Sequence, residues 1–377
     1  MRIQFVGDIM PSGDQARKPI KVSRRLKTKF ESFDLRVATL ETAVGQYEDI
    51  DPVKMPKSEV AVWSLPEDLN KLEDLGIKVV SLANNHACDC GVESMLRLKE
   101  YLNSRGITAI GGGRNKEEAM HPFIFEKGGE KIAIIACCED NPDSLGTLIF
   151  ATDTTSGIYR LDEHEVCSQI IELKKTCDYV AVVVHWGVEH MWLPEQYDVT
   201  IAKKMIDAGA DAIIGGHPHH IQPQVTYREK PIFYSLGNFY FPFFCLDKIS
   251  NVYYPDDEEL NKLPVFDWMA PSIRNFSMRY FWKYYGRLGI IAAVDFREDK
   301  INAKKIYSVY KNGSLNLSSL VFLHSMTLCL FSCNLGKQSS HKINIKIAKT
   351  RNLIEYVILA KFNSKYRFFQ YLKYHNE

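Results

Sequence analysis

Five short runs of β-forming residues in this chain each stop on a side chain that can bind a metal. Arg2-Ile3-Gln4-Phe5-Val6 leads into Gly7-Asp8, and the run 35–40 leads into Glu41. The run 77–83 leads into Asn84-Asn85-His86. The run 179–184 ends at His185-Trp186-Gly187, and 211–214 ends at Gly215-Gly216-His217-Pro218-His219. A further apolar run spans 132–136. Near-continuous Val, Ile and Ala suits strands covered on both faces. Amphipathic stretches at 66–75, 92–104, 116–120, 163–175 and 194–208 alternate with these runs, and Gly106 and Gly209 close two of them. The alternation predicts an α/β domain. In open α/β sheets ligands bind in the crevice beyond the carboxyl ends of the strands. Carboxylates, an amide and imidazoles gathered at one such rim form the donor set of a divalent-metal site.

The remaining features mainly exclude. A net charge of +1 over 377 residues gives no global attraction to nucleic acid or membrane. Nine scattered cysteines, including the close pairs Cys88/Cys90 and Cys137/Cys138, do not read as a disulfide scaffold and predict a reducing, cytoplasmic setting. The spacing of Cys88 and Cys90 does not fit a zinc pair either. The first strand begins at once, so no secretory segment is expected ahead of it. The apolar stretch 320–333 falls short of the ~20 residues a spanning helix needs and contains His324; it predicts a buried helix or strand pair. The glycines 111–113 lack a phosphate-binding spacing and predict a turn. With no P-loop and no Gly-x-Ser-x-Gly elbow, neither ATP-driven activation by the chain itself nor serine hydrolysis is expected.

Two segments break the rhythm. Residues 240–285 are rich in Phe, Tyr and Trp and hold the acidic cluster Asp256-Asp257-Glu258-Glu259; they predict a loop or lid insertion, with a substrate-facing wall as the alternative. Runs at 288–294 and 301–310 predict a closing hairpin. Residues 337–377 carry nine Lys/Arg against two Glu, with aromatics interleaved. This basic amphipathic helix either packs on the main domain or lies on an anionic membrane surface; nucleic acid ranks last.

In chain order the sequence presents Gly7-Asp8-Ile9-Met10, Thr39-Leu40-Glu41, Asn84-Asn85-His86 with Asp89 and Gly91, and Gly111-Gly112-Gly113-Arg114-Asn115 with Glu118-Ala119. His185-Trp186-Gly187-Val188-Glu189, Gly216-His217-Pro218-His219 and Tyr234-Ser235-Leu236-Gly237-Asn238-Phe239 follow. This ordered set resembles the CapA family of capsule and poly-γ-glutamate biosynthesis proteins over roughly residues 1–310. The resemblance implies the calcineurin-like metallophosphoesterase fold, a four-layer α/β/β/α sandwich over 1–310; the residues beyond it, 311–377, are expected as a basic helical tail on their own composition. It makes Asp8 a first-metal ligand, Glu41 the occupant of the bridging-carboxylate position, and Asn85 an amide-oxygen ligand. His185, His217 and His219 become imidazole ligands, and His86 becomes the non-ligand acid that protonates a leaving oxygen. Asp89, Glu189 and Asn238 would touch substrate or orient ligands.

The implied cofactor is one or two divalent ions, with Mn, Zn or Fe suited to mixed N/O donors. A metal pair ~3.5–4 Å apart lowers the pKa of bound water and clamps both oxygens of an in-line displacement, and an imidazole near neutrality can donate the proton. Two positions depart from the phosphoesterase plan and agree with the CapA pattern. Met10 stands where an imidazole usually follows the first Asp, and Glu41 replaces an Asp. The implied activity is hydrolysis or transfer at a phosphoester or amide centre in capsule, poly-γ-glutamate or exopolysaccharide assembly. The alternative is a non-catalytic accessory subunit with a partly degenerate metal site. A metal-dependent amidohydrolase barrel ranks third, because the first strand lacks His-x-His. The implied partners are a surface polymer or its precursor and a membrane-bound synthase complex, not nucleic acid. The implied location is cytoplasmic, peripheral at the inner face of the membrane.

Overall fold

The computed structural model describes residues 1–12, 18–30, 32–45, 49, 61–141, 144, 146–242, 244–245, 252–253, 279–280, 284–297, 300–311 and 314–317. Most of the expected insertion at 240–285, the apolar stretch 320–333 and the basic tail lie outside the described residues.

The principal strands are β1 (Arg2–Ile9), β2 (Leu35–Leu40), β3 (Val79–Ser81), β4 (Thr108–Ile110), β5 (Phe123–Lys127), β6 (Glu130–Cys138) and β7 (Tyr179–His185). They continue with β8 (Ala212–Gly216), β9 (Gln224–Tyr227), β10 (Lys230–Phe233), β11 (Asn238–Tyr240), β12 (Leu288–Asp295), β13 (Asn302–Lys311) and β14 (Ser314–Leu317). The helices are α1 (Arg24–Phe30), α2 (Asn70–Asp74), α3 (Val92–Ser104), α4 (Lys116–Ala119), α5 (Glu163–Leu173) and α6 (Gln196–Asp207). The expected helix at 66–75 divides into a 3₁₀ turn, Pro66–Leu69, and α2. Proline is suited to that start because its missing N–H would lack an intrahelical acceptor there. Asp162 caps α5 by accepting from Glu165 N at 2.9 Å.

The fold is mixed α/β with two main sheets. In the first, β1, β2, β3 and β4 run parallel, β12 pairs antiparallel with β1, and β13 and β14 extend that side. β12 and β13 form an antiparallel hairpin from Leu288↔Val309 to Asp295↔Asn302. β11 pairs parallel with β1 outside the main strand path. The second sheet runs β9-β10-β8-β7-β6-β5, parallel at its centre and antiparallel at both edges.

The two-residue period of β6 shows how the sheets are covered. Ile132, Ile134, Ala136 and Cys138 join the core that holds Ile3 and Phe5 of the first sheet. Ala133, Ile135 and Cys137 join a separate core with Val166 and Ile170 of α5 and Ile201 and Met205 of α6. On α3, Met95, Leu98 and Leu102 recur at helical spacing and pack into the first core.

One buried cation ties this core together. Arg36 on β2 donates to Gln4 Oε1 at 2.8 Å, to the α1 C-terminal carbonyl of Phe30 at 3.1 Å, and to Leu75 O just beyond α2. Its guanidinium also lies 3.8 Å from the Phe30 ring centroid. A cation at two helix C-termini is favourable. Among the described residues, no helix is long and apolar enough to cross a membrane.

Candidate metal centre

The carboxyl ends of β1, β2 and β3 in one sheet meet those of β7 and β8 in the other. Asp8 sits at a bulge where the pairing of β1 with both β2 and β11 shifts register. The neighbouring Gly7 cannot carry a side chain, since a Cβ there would lie 1.7 Å from Gly237 O. That close crossing lets Asp8 N donate to Gly237 O at 3.1 Å. Glu41 follows the last residue of β2, His185 ends β7, and His217 follows the last residue of β8. Gly216 leaves room for Asp8, because a Cβ there would approach Asp8 Oδ1 to 2.6 Å.

These side chains converge on Glu41. Its carboxylate belongs to two groups whose ligand atoms lie within 4.8 Å of one another: Glu41, His185 and His217, and Asp8, Glu41 and His219. Glu41 Oε1 is 3.5 Å from His185 Nε2 and 3.4 Å from His219 Nε2. His185 Nε2 lies 3.1 Å from His217 Nδ1 and 2.8 Å from Asn85 Oδ1. Asp8 Oδ2 accepts from His217 N at 3.2 Å and lies 3.7 Å from His219 Nδ1. All six residues sequence analysis assigns as ligands therefore line one pocket.

The site fits a divalent cation. Asp8 Oδ1 and both carboxylate oxygens of Glu41 are fully buried without a hydrogen-bond partner. Such atoms cost free energy unless something charged and positive meets them. Burial raises Asp8 to about 7, against the partial relief of the His217 amide. Glu41 is pushed well above the carboxylate range by burial first and then by the charges of Asp8, Glu189 and Asp89. Burial drives His185 and His217 well below the usual imidazole value and lowers His219 to about 3, with neighbouring imidazoles adding to each shift. Neutral imidazoles are ready ligands, and a bound cation would reverse the carboxylate shifts.

The backbone is strained at the same place. His217 (φ 92°), His219 (φ 54°) and His190 (φ 61°) all occupy the left-handed region. Non-glycine residues persist there only when their surroundings over-determine them.

Outer groups hold the ligands. Asn238 Oδ1 lies 2.9 Å from His219 Nδ1, and its amide donates to Gly286 O at 2.8 Å, so the His219 ring is held with Nε2 toward Glu41. His86 Nδ1 lies 2.7 Å from Asp89 Oδ2. Glu189, also buried, has Oε2 3.7 Å from His190 Nε2.

Some contributors carry no pattern in the chain. Glu139 Oε2 accepts from Gly187 N at 2.7 Å, and Asn141 donates to Gly187 O at 2.6 Å; together they clamp the turn after His185. His190 N donates to Pro218 O at 2.8 Å, tying its loop to the His217–His219 turn. His220 is buried and packs its ring against His190 and Trp192. Among the described residues Cys88, Cys90, Cys137, Cys138, Cys167 and Cys177 are all free thiols. Burial pushes the Cys88 thiol up to about 12, so it is inert as a ligand or nucleophile.

The profile of the bacterial capsule synthesis proteins, PGA_cap, matches residues 2–242. The chain is 31% identical to the PGA biosynthesis protein CapA of Bacillus subtilis, over 63% of this chain and 62% of that protein. It is 26% identical to a probable polyglutamine synthesis accessory protein of Mycobacterium tuberculosis, over 54% of each. The chain thus spans about three fifths or less of the length of these relatives. Among solved structures, the calcineurin-like phosphoesterase YfkN of Bacillus subtilis aligns at 11% identity with a TM-score of 0.38, over 92% of this chain and 99% of that one.

Proposed function

Since the chain belongs to the bacterial capsule synthesis family PGA_cap, we propose that it is a divalent-metal-dependent hydrolase or transferase. It would act at a phosphoester or amide centre during assembly of poly-γ-glutamate or another surface polymer. The observation that carries this reading is Glu41, a buried carboxylate with neither oxygen hydrogen-bonded and a set of ligand atoms on either side. We read the fold as the four-layer sandwich of the calcineurin-like phosphoesterases. The alternating faces of β6, one turned to the first sheet and one to α5 and α6, support that arrangement.

In this reading Glu41, His185, His217 and Asn85 would hold one ion, and Asp8, Glu41 and His219 a second, with Mn, Zn or Fe suited to the mixed donors. A bound ion supplies Lewis acidity and lowers the pKa of coordinated water. His86 delivers the proton to the leaving oxygen, and Asp89 fixes its ring through Nδ1. Glu189 contacts substrate, and Asn238 keeps His219 aimed at Glu41. The partners would be the polymer or its precursor and a membrane-bound synthase, met at the cytoplasmic face through the basic tail.

The test is elemental analysis of untagged protein joined to a panel of phosphoesters and amides. About one or two equivalents of Mn, Zn or Fe are expected. His217→Ala should lose metal. His86→Ala should keep it and lose about 10²–10⁴-fold in turnover. Metal-free wild-type protein would overturn the proposal.

Met10 favours a second reading, an accessory subunit of the polymer machine. It is buried, and it offers a thioether where the phosphoesterase plan has an imidazole. Metal retained without turnover on the whole panel would select this reading.

A further inference from the structure

Asp89 is gripped from two directions by chain segments far from its own loop. Its Oδ2 accepts from Val62 N at 2.7 Å as well as facing His86 Nδ1, and its Oδ1 accepts from Thr147 N at 2.8 Å. Thr147 follows Gly146, whose φ of +106° is a conformation that L side chains rarely adopt. Gly146 also lies close against the imidazole. A Cβ there would come within 2.5 Å of Asn85 O, 2.8 Å of His86 Nδ1 and 2.9 Å of His86 Cε1. The connection leaving β6 therefore touches the proton donor twice, once through the glycine's bare Cα on the ring and once through an amide on the acid that holds it.

We propose that Gly146 and Thr147 are positioning residues for His86: the glycine's missing side chain and the Thr147 N–H together set the rotation of the imidazole, keeping Nδ1 on Asp89 and leaving Nε2 as the ring's other nitrogen. The inference deepens the reading of His86 as the proton donor and rests on it for its catalytic consequence. The geometry itself is independent of turnover. The Thr147 N–H bonds Asp89 rather than a metal ligand, and the nearest Asn85 atom to Gly146 is its main-chain carbonyl, so metal content is expected to survive perturbation of either residue.

The experiment compares Gly146→Ala, Thr147→Pro and Thr147→Ala in the full chain. Thr147→Pro removes the amide hydrogen, whereas Thr147→Ala removes only the side chain. Three measurements are made: metal content, the ¹³Cε1 and ring ¹⁵N resonances of His86 assigned with His86→Ala, and kcat and KM on the best substrate of the panel. Metal content should match wild type throughout. The His86 resonances should move in Gly146→Ala and Thr147→Pro, and further in Thr147→Pro than in Thr147→Ala. In the first two, kcat should fall by about 10–100-fold, the scale of a misplacement near 1 Å, with little change in KM. In a His86→Ala background, Gly146→Ala should add no further loss.

Unmoved His86 resonances in folded Gly146→Ala would overturn the inference. So would equal displacement in Thr147→Pro and Thr147→Ala. If Thr147→Pro fails to fold, Gly146→Ala decides alone. A wild-type protein without turnover whose His86 resonances nevertheless respond would keep the positioning assignment and defeat the hydrolase reading.

Discussion

Replacing Glu41 by Met should make the metal-free protein more stable and the metal-loaded protein less so. Glu41 is fully buried, neither of its oxygens has a hydrogen-bond partner, and burial together with Asp8, Glu189 and Asp89 disfavours its charged form. A buried polar group left unsatisfied costs about 1–3 kcal/mol, and Met fills a similar volume without polar oxygens. Without metal, that cost should return as a rise in Tm of roughly 2–4 °C per kcal/mol. With metal the order reverses. An ion held at about 1,000 times its Kd stabilises wild type by about 4 kcal/mol, and Glu41→Met loses this because both ligand groups contain Glu41. Differential scanning calorimetry in EDTA and in Mn, with metal counted by elemental analysis, measures both arms. A variant less stable than wild type in EDTA that still gains Tm with metal would refute the assignment of Glu41 as the shared ligand.

Asp8 predicts the pH response. Its folded pKa of about 7 lies above the unfolded value of 3.8, so its contribution to metal-free stability is fully present below pH ~4 and is lost as pH rises through 7. His185, His217 and His219 act in the opposite sense: their lowered values mean that stability present above 6.5 is lost as pH falls. The Asp8 part is therefore isolated by Asp8→Asn, whose advantage over wild type in EDTA should grow between pH 4 and 7; a flat difference in urea titrations would contradict it. Proton competition at Asp8 should also weaken metal affinity by about tenfold per pH unit below 7, measurable by calorimetric titration. Arg36→Met should cost about 2–3 kcal/mol by removing charge-assisted bonds to two helix ends, read as a lower urea midpoint with metal content unchanged. If the proposed membrane contact runs through residues 337–377, nine Lys/Arg against two Glu, the full chain should sediment with anionic vesicles and the chain lacking them should not; equal sedimentation of both would refute that role of the tail.

How much of this was legible in the chain depended on whether the cause was local. β2 ends where its apolar run ends, at Leu40. The apolar run of β1 stops at Val6, but the strand continues to Ile9, carried by backbone bonds to the segment 237–240. Tertiary pairing outweighs propensity there. Conversely 77–83 shortens to Val79–Ser81, because its neighbours offer only three paired positions. Nothing in the run 35–40 marks Arg36 as a buried cation; two helix ends supply the acceptors that keep it buried.

The site divides the same way. Donor types at strand ends were readable, because a parallel strand must deliver its last residue to the rim. The division of donors around Glu41 was not, because it depends on how two sheets face each other across unlinked stretches of chain. Nor was the left-handed backbone at His217 and His219, a conformation that neither side chain favours. Those two φ angles are held by contacts from elsewhere, among them the bonds from His190 N to Pro218 O and from His217 N to Asp8. A pocket whose ligands are each placed by a different part of the chain has no short signature, and that is why the groups that hold the turns bearing them, Glu139, Asn141 and His190, become visible only once the two sheets are brought together.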